Sequence, residues 1–275
     1  MCPSPGTGAG ERGYVIPIGG AEEKLEHPVI LKKFVGLAGG DQARIVIIPT
    51  ASRLEDTGPR YVKIFQDIGV ANAEFIPLET RADCVREDYL ETLHQATGIF
   101  ITGGNQLRLS TILGGTPVAQ AIRRLNADGM PVAGTSAGAA IMPEHMIAGG
   151  DSDTKTPTED GVTLSPGLGL TNSMLIDQHF TQRNRLGRLL TALSFNPFVT
   201  GIGLDEDTAA FINAKGEFEV VGSGVVTVVD PSKLSHSSMG SIRQGDPVSL
   251  FGLRLHILAA GDRYDCTTRT PVSAD

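Results

Sequence analysis

Three apolar runs end in glycine-bearing turns, and their spacing constrains the fold more than any other feature. Gly13-Tyr14-Val15-Ile16-Pro17-Ile18 runs into Gly19-Gly20, and Gly98-Ile99-Phe100-Ile101-Thr102 runs into Gly103-Gly104. Met130-Pro131-Val132-Ala133 runs into Gly134-Thr135-Ser136-Ala137-Gly138. A further run, Arg44-Ile45-Val46-Ile47-Ile48, has no polar alternation, as expected of a strand buried on both faces of a parallel sheet. Residues 73–78 form a weaker strand. Helical patterning lies between these runs, over 22–35, from Pro59 with Val62, Phe65 and Ile68 on one face, and over 86–95. A further helix has Thr116 as N-cap, Pro117 in its first turn and Val118, Ile122 and Leu125 as its stripe. This alternation predicts a doubly wound, mostly parallel α/β sheet that gathers ligands at its C-terminal edge. Neither glycine pair forms GxGxxG followed by a ribose-binding acid, which argues against a dinucleotide site.

At the third turn, Gly-x-Ser-x-Gly sits between strand and helix signals. That is the pattern of a nucleophile elbow, which holds a serine hydroxyl out at the sheet edge. The helix that follows offers free N–H groups and the positive end of its dipole, suited to an oxyanion.

After Pro143 the texture changes. Residues 149–169 are polar and rich in Asp, Thr, Gly and Pro, which predicts a long mobile loop beside the site. Apolar patterning returns over 170–180, helical patterning over 182–193, a strand and turn over 200–212, and β patterning from Glu217 onward. We find no internal repeat and no linker. Residues 1–12 form a Pro/Gly-rich lead-in expected to be disordered, and 13–275 a single domain.

Composition removes several classes of function. With 40% hydrophobic and 20% charged residues the chain is an ordinary globular sequence. It has no apolar run of about 18 residues that would span a membrane. A net charge of −8 argues against nucleic acid as a partner. Cys2, Cys84 and Cys266 are too scattered for a disulfide framework or a zinc site, so a reducing cytoplasm is the expected location.

A serine nucleophile needs a base in reach, and the base needs an acid to orient it. Of six histidines, His27 and His94 lie on expected surface helices, and His145 on the helix expected after the elbow. His236 sits in a serine-rich loop and His256 on a C-terminal strand. His179 differs: it closes the apolar run Leu175-Ile176-Asp177-Gln178, a frequent place for catalytic groups of α/β proteins. Gly203-Leu204-Asp205-Glu206-Asp207 ends another apolar run with three carboxylates, any of which could orient an imidazole. The order serine, histidine, acid departs from the serine, acid, histidine order of α/β-hydrolases. Arg183, Arg185 and Arg188 follow closely on His179 and suit a substrate with carboxylates, which arginine grips bidentately.

Four blocks in this order, Thr102-Gly103-Gly104-Asn105-Gln106, Gly134-Thr135-Ser136-Ala137-Gly138-Ala139, Asp177-Gln178-His179-Phe180 with its arginines, and Gly203 to Ala209, closely resemble the cyanophycinase family, relatives of peptidase E. The match runs from about Gly13 to Asp230. The resemblance implies a flavodoxin-like fold akin to class I glutamine amidotransferases, with Ser136 as nucleophile, His179 as base and Glu206 as orienting acid. It puts Gln106, Asp177, Gln178, Arg183, Arg185 and Arg188 in the substrate pocket. It also implies cyanophycin, a poly-aspartate with arginine on each side chain, as substrate and β-aspartyl-arginine as product. The oxyanion would rest on N–H groups of Ala137 and of Gly103 or Gly104. No metal or other cofactor is expected. Family members are often dimers, and the C-terminal strands could pair across chains. Two rival readings, a peptidase E-like aspartyl dipeptidase and a non-catalytic flavodoxin-like binding module, differ in whether cyanophycin is cleared and whether a phosphonate labels the serine.

Overall fold

The computed structural model describes residues 2–7, 10–150 and 156–274. Five strands from the first half of the chain, β1 (Val15–Ile18), β2 (Arg44–Ile48), β3 (Asn72–Phe75), β4 (Gly98–Ile101) and β5 (Val132–Thr135), pair in parallel in the order β1-β5-β4-β2-β3. Among the described residues six α-helices lie in the same stretch: α1 (Val29–Leu37), α2 (Thr57–Asp67), α3 (Glu87–Gln95), α4 (Gln106–Leu113), α5 (Pro117–Ala127) and the short α6 (Ala137–Ala140).

Strand side chains alternate between faces, so the apolar runs fill two cores at once. Ile16, Ile18, Ile45, Ile47 and Phe100 pack with Phe34 of α1 and Phe65 of α2. Val15, Val46, Ile48, Ile99 and Ile101 pack on the other side with Leu93 of α3, Leu109 of α4 and Ile122 of α5. Every residue of β1, β4 and β5 is buried, which is why these runs carry no polar alternation. Thr116 caps α5, accepting from the N–H of Ala119, with Pro117 in the first turn. The expected α/β fold with a parallel core is what the structure has.

The second half of the chain extends this core. Its elements are β6 (His145–Gly149), β7 (Thr163–Pro166), β8 (Met174–Gln178), α7 (Leu186–Phe195), β9 (Thr200–Leu204), β10 (Thr208–Ile212), β11 (Glu217–Gly222), β12 (Val226–Asp230), β13 (His236–Ser237), β14 (Leu250–Phe251), β15 (Arg254–Leu258), β16 (Arg263–Asp265) and β17 (Thr270–Val272). Beyond β1 the central sheet continues antiparallel through β10, β11, β16 and β17. A second sheet runs β15-β12-β9-β8. The tail therefore serves both sheets, and Arg269 bridges back to the fully buried Asp230 at 2.5 Å.

Several local expectations differ from the structure. The helix expected over 22–35 starts only at Val29, and Glu22 lies in the turn before it. The helix after the elbow is four residues long, so His145 begins β6 rather than extending α6. The small residues Ala137 to Ala140 suit close packing against β1, β5 and β8 more than a long helix. Of the loop expected over 149–169, residues 151–155 lie outside the described residues. Part of the remainder is β7, paired antiparallel with β6.

Candidate active site

Five chain segments, the turns after β1, β4, β5, β8 and β9, meet at the C-terminal edge of the parallel strands. The β5 ladder ends with Ser136 N–H donating to Ile18 at 2.9 Å, and the next residue starts α6. Ser136 takes φ 52° and ψ −110°, a backbone conformation costly for a residue with a Cβ. The flanking glycine is required by contact: a Cβ on Gly138 would stand 2.2 Å from the Ile101 carbonyl oxygen. This is the elbow read from Gly-x-Ser-x-Gly.

His179 follows β8, where the backbone turns into the left-handed region at φ 48° and its N–H donates to Gly19 at 2.8 Å. Its ring lies against Gly20, where an added Cβ would sit 2.4 Å from Cε1. Nε2 is 2.9 Å from Ser136 Oγ, and Nδ1 is 2.6 Å from Glu206 Oε1. A carboxylate can only accept, so Nδ1 carries the proton and Nε2 is left to accept from the serine hydroxyl. Burial holds the His179 pKa below its ordinary 6.5, opposed by the hydrogen bond it donates to Glu206 and reinforced by the charge of Arg183. The imidazole is therefore neutral at neutral pH.

The three carboxylates between β9 and β10 have separate partners. Glu206 meets the imidazole. Asp205 is buried and accepts from the N–H and hydroxyl of Thr181, at 3.0 and 2.8 Å, which fastens the turn after His179. Asp207 accepts from the N–H of Glu23 and the hydroxyl of Ser223, fastening the turn after β1.

Gly103, Gly104 and Ser136 line one cavity of about 280 Å³. A Cβ on Gly103 would come 3.8 Å from Ser136 Oγ, which measures how near that backbone runs. Among the described residues the N–H groups of Gly103, Gly104 and Ala137 donate to no backbone carbonyl. They are free to meet negative charge beside the hydroxyl.

The pocket residues taken from the family resemblance fall into three groups. Asp177, Gln178, Arg185 and Arg188 form one buried network. Arg188 holds both oxygens of Asp177, at 2.7 and 2.5 Å. Arg185 Nη1 donates to the Gln178 side chain at 2.7 Å, and burial lowers the pKa of its guanidinium to about 10. Gln106, at the start of α4, donates its amide to the carbonyls of Ile147 and Ala148 at 3.3 and 3.1 Å. Arg183 is exposed, one turn past the imidazole.

Sequence reasoning missed Glu22. Its side chain is buried beside the elbow, against the residue before Ser136. It accepts from Tyr61 Oη at 2.6 Å and Thr135 Oγ1 at 2.5 Å, and pairs with Lys24 at 3.2 Å. An acid directly after a glycine turn at the ligand edge was the available signal, but the charge pattern of Glu22-Glu23-Lys24 reads as a solvated helix face.

A hydroxyl, an imidazole and a carboxylate in one hydrogen-bonded row, beside free N–H groups at the edge of a parallel sheet, define the class: a serine-type hydrolase. Comparison with known proteins makes this specific, because residues 15–220 match the model of peptidase family S51, and the chain belongs to that family. It is 44% identical over 262 residues to the cyanophycinases of Trichormus variabilis and of a Nostoc species, covering 94% of this chain and 88% of each relative. It is likewise 44% identical over 265 residues to the cyanophycinase of Geminocystis herdmanii, covering 95% of this chain and 97% of that one. Among solved structures, a peptidase from an acI-B1 actinobacterium superposes with a TM-score of 0.68 at 21% identity, covering 93% of this chain and 97% of that one. A peptidase E-like protein of Listeria monocytogenes gives 0.51 at 21% identity, covering 76% and 97%. These two likenesses concern the fold.

Proposed function

We propose that this chain is a serine exopeptidase that hydrolyses cyanophycin and releases β-aspartyl-arginine, with Ser136 as nucleophile, His179 as general base and Glu206 as the acid that orients it. The observation that carries the reading is the row of hydrogen bonds from Ser136 through His179 to Glu206, at 2.9 and 2.6 Å. The cyanophycinases at 44% identity over almost the whole chain supply the substrate.

The chemistry follows from the geometry. As Ser136 Oγ attacks a backbone carbonyl of the polymer, its proton passes to His179 Nε2, and the imidazolium is stabilised by Glu206. The oxyanion takes hydrogen bonds from the N–H of Ala137 and of Gly103 or Gly104; losing one such donor costs about 3 kcal/mol of transition-state stabilisation. His179 then gives its proton to the leaving amine, and a water repeats the sequence on the acyl-enzyme. Arg183, exposed beside the imidazole, meets a substrate carboxylate. Asp177, Gln178, Arg185 and Arg188, joined to one another, form the rigid base on which His179 stands, and Gln106 fixes β6 at the pocket wall.

The enzyme works in the cytoplasm, a compartment that suits three unpaired cysteines. No helix among the described residues is long and apolar enough to cross a membrane. It is a homodimer: β15 is an edge strand with Leu255 and Ile257 exposed, at 55% and 57%, where a second copy would cover them. Light scattering of the purified protein tests the dimer. Mass spectrometry of the soluble products from insoluble cyanophycin tests the activity: β-aspartyl-arginine is expected from the natural chain and none above background from Ser136→Ala. Clearance of the polymer by Ser136→Ala would overturn the assignment.

A further inference from the structure

A second cavity, also about 280 Å³, adjoins the one that holds Ser136 and shares Ser52 and Leu54 with it. It lies beyond the ends of β2 and β3, on the side of the elbow away from His179. Four charges of mixed sign line it: Arg53, Arg108, Glu55 and Glu79. Arg108 is held in place by its Nε, which donates to the Thr50 carbonyl at 2.8 Å, so its two terminal amino groups are left to face a ligand. Among the described residues none of the four has a counter-ion on the protein. Thr50 also lines the cavity. It is 4% exposed and its Oγ1 has no hydrogen-bond partner, an unmet polar group at the cavity wall.

Resting on the reading of cyanophycin as substrate, we infer that this cavity is a second subsite, which binds a polymer unit beyond the one being cleaved. Each unit of that polymer carries one free carboxylate and one guanidinium on its arginyl side chain. Arg108 and Arg53 match the carboxylate, bidentately where the planar fork of Arg108 is already fixed. Glu55 and Glu79 match the guanidinium. An uncharged or singly charged ligand would leave part of this set unpaired. The shared wall at Ser52 and Leu54 lets one chain occupy both cavities, so affinity gained in the second holds the polymer at Ser136 between cuts.

The test uses defined segments of two and of four β-aspartyl-arginine units. For the natural protein kcat/KM rises from the shorter to the longer segment. In Arg108→Gln, and in Arg53→Gln and Glu79→Gln (both at exposed positions where folding is not at stake), that rise shrinks by about tenfold through KM, the scale of one lost charge-assisted hydrogen bond. Arg108→Lys keeps part of it. Binding of the four-unit segment to Ser136→Ala protein, followed by calorimetry, weakens in the same order when these changes are added. Retention of the full length preference and affinity in all three variants overturns the second subsite while leaving the peptidase reading intact. Failure of the natural protein to cleave either segment overturns both.

Discussion

Two carboxylates flank the elbow, and they differ in what surrounds them. Glu206 ends the row through His179 with 38% of its side chain exposed; Glu22 ends the row through Thr135 and Tyr61 with 1% exposed. In the proposed mechanism the first row contains the group that gains and loses a proton in each half-reaction, and partial exposure lets water screen and rearrange around the changing charge. The second row contains two hydroxyls and a carboxylate whose hydrogen bonds are complete in one arrangement, and burial fixes that arrangement against Thr135, the residue before the nucleophile. The contrast fits the proposed mechanism, which gives chemistry to the open row and position to the closed one.

The largest effect should come from breaking the open row at its centre. His179→Ala removes the base, and kcat on cyanophycin should drop by about 10⁶-fold, with little change in thermal midpoint. Glu206→Gln keeps the shape and removes the charge. Where such an acid is fully buried the loss is about 10⁴-fold. Glu206 is partly solvated, so a smaller loss of about 10²- to 10³-fold is expected in single-turnover assays. A loss as large as that of His179→Ala would mean that the amide locks the imidazole in the wrong tautomer.

The closed row should fail differently. Glu22→Ala strands the hydroxyls of Tyr61 and Thr135 in a dry site, at about 1–3 kcal/mol each. An unfolding free energy in urea lowered by about 3 kcal/mol in total is expected, and Tyr61→Phe should lose much less. A double-mutant cycle between Glu22 and Tyr61 measures their coupling, which a purely solvated Glu22 would not show. If Glu22→Ala kept its stability and lost activity as far as Glu206→Gln, Glu22 would belong to the chemistry.

The same contrast explains what the sequence made legible. The five parallel strands were readable because burial on both faces removes every polar residue from the run, and the elbow because Gly138 cannot carry a Cβ against Ile101. His179 stood out by its place at the end of an apolar strand. Which of Asp205, Glu206 and Asp207 faces the ring was not readable from spacing, because the choice depends on the φ of 49° at Asp207 and on partners as remote as Glu23 and Ser223. Glu22 was hidden because its neighbours Glu23 and Lys24 imitate a helix surface, and the burial that sets it apart comes from Tyr61, on the remote helix α2. The pairing of Asp177 with Arg188 was invisible for the same reason: it takes the meeting of β8 with α7 to turn a charge cluster into a closed network.

The smallest effects concern the titration of His179, and they separate the two rows by sign. The unfolded imidazole titrates near 6.5 and the folded one lower, with burial the main cause. Between those values the unfolded chain holds more protons, so this group makes the fold less stable as pH falls below 6.5. Activity needs the neutral ring, so kcat/KM falls only at the lower, folded value. Stability should therefore begin to decline at a higher pH than activity does. Glu206→Gln removes the main influence that raises the folded pKa, and the acid limb of kcat/KM should move to lower pH. Arg183→Gln removes a charge that lowers it, and the limb should move to higher pH, alongside a raised KM for the polymer. Glu22 bonds Tyr61 and Thr135 and makes no contact with the imidazole, so Glu22→Gln should leave the limb in place. A limb displaced by Glu22→Gln as far as by Glu206→Gln would join the two rows into one electrostatic unit and remove the division between chemistry and position.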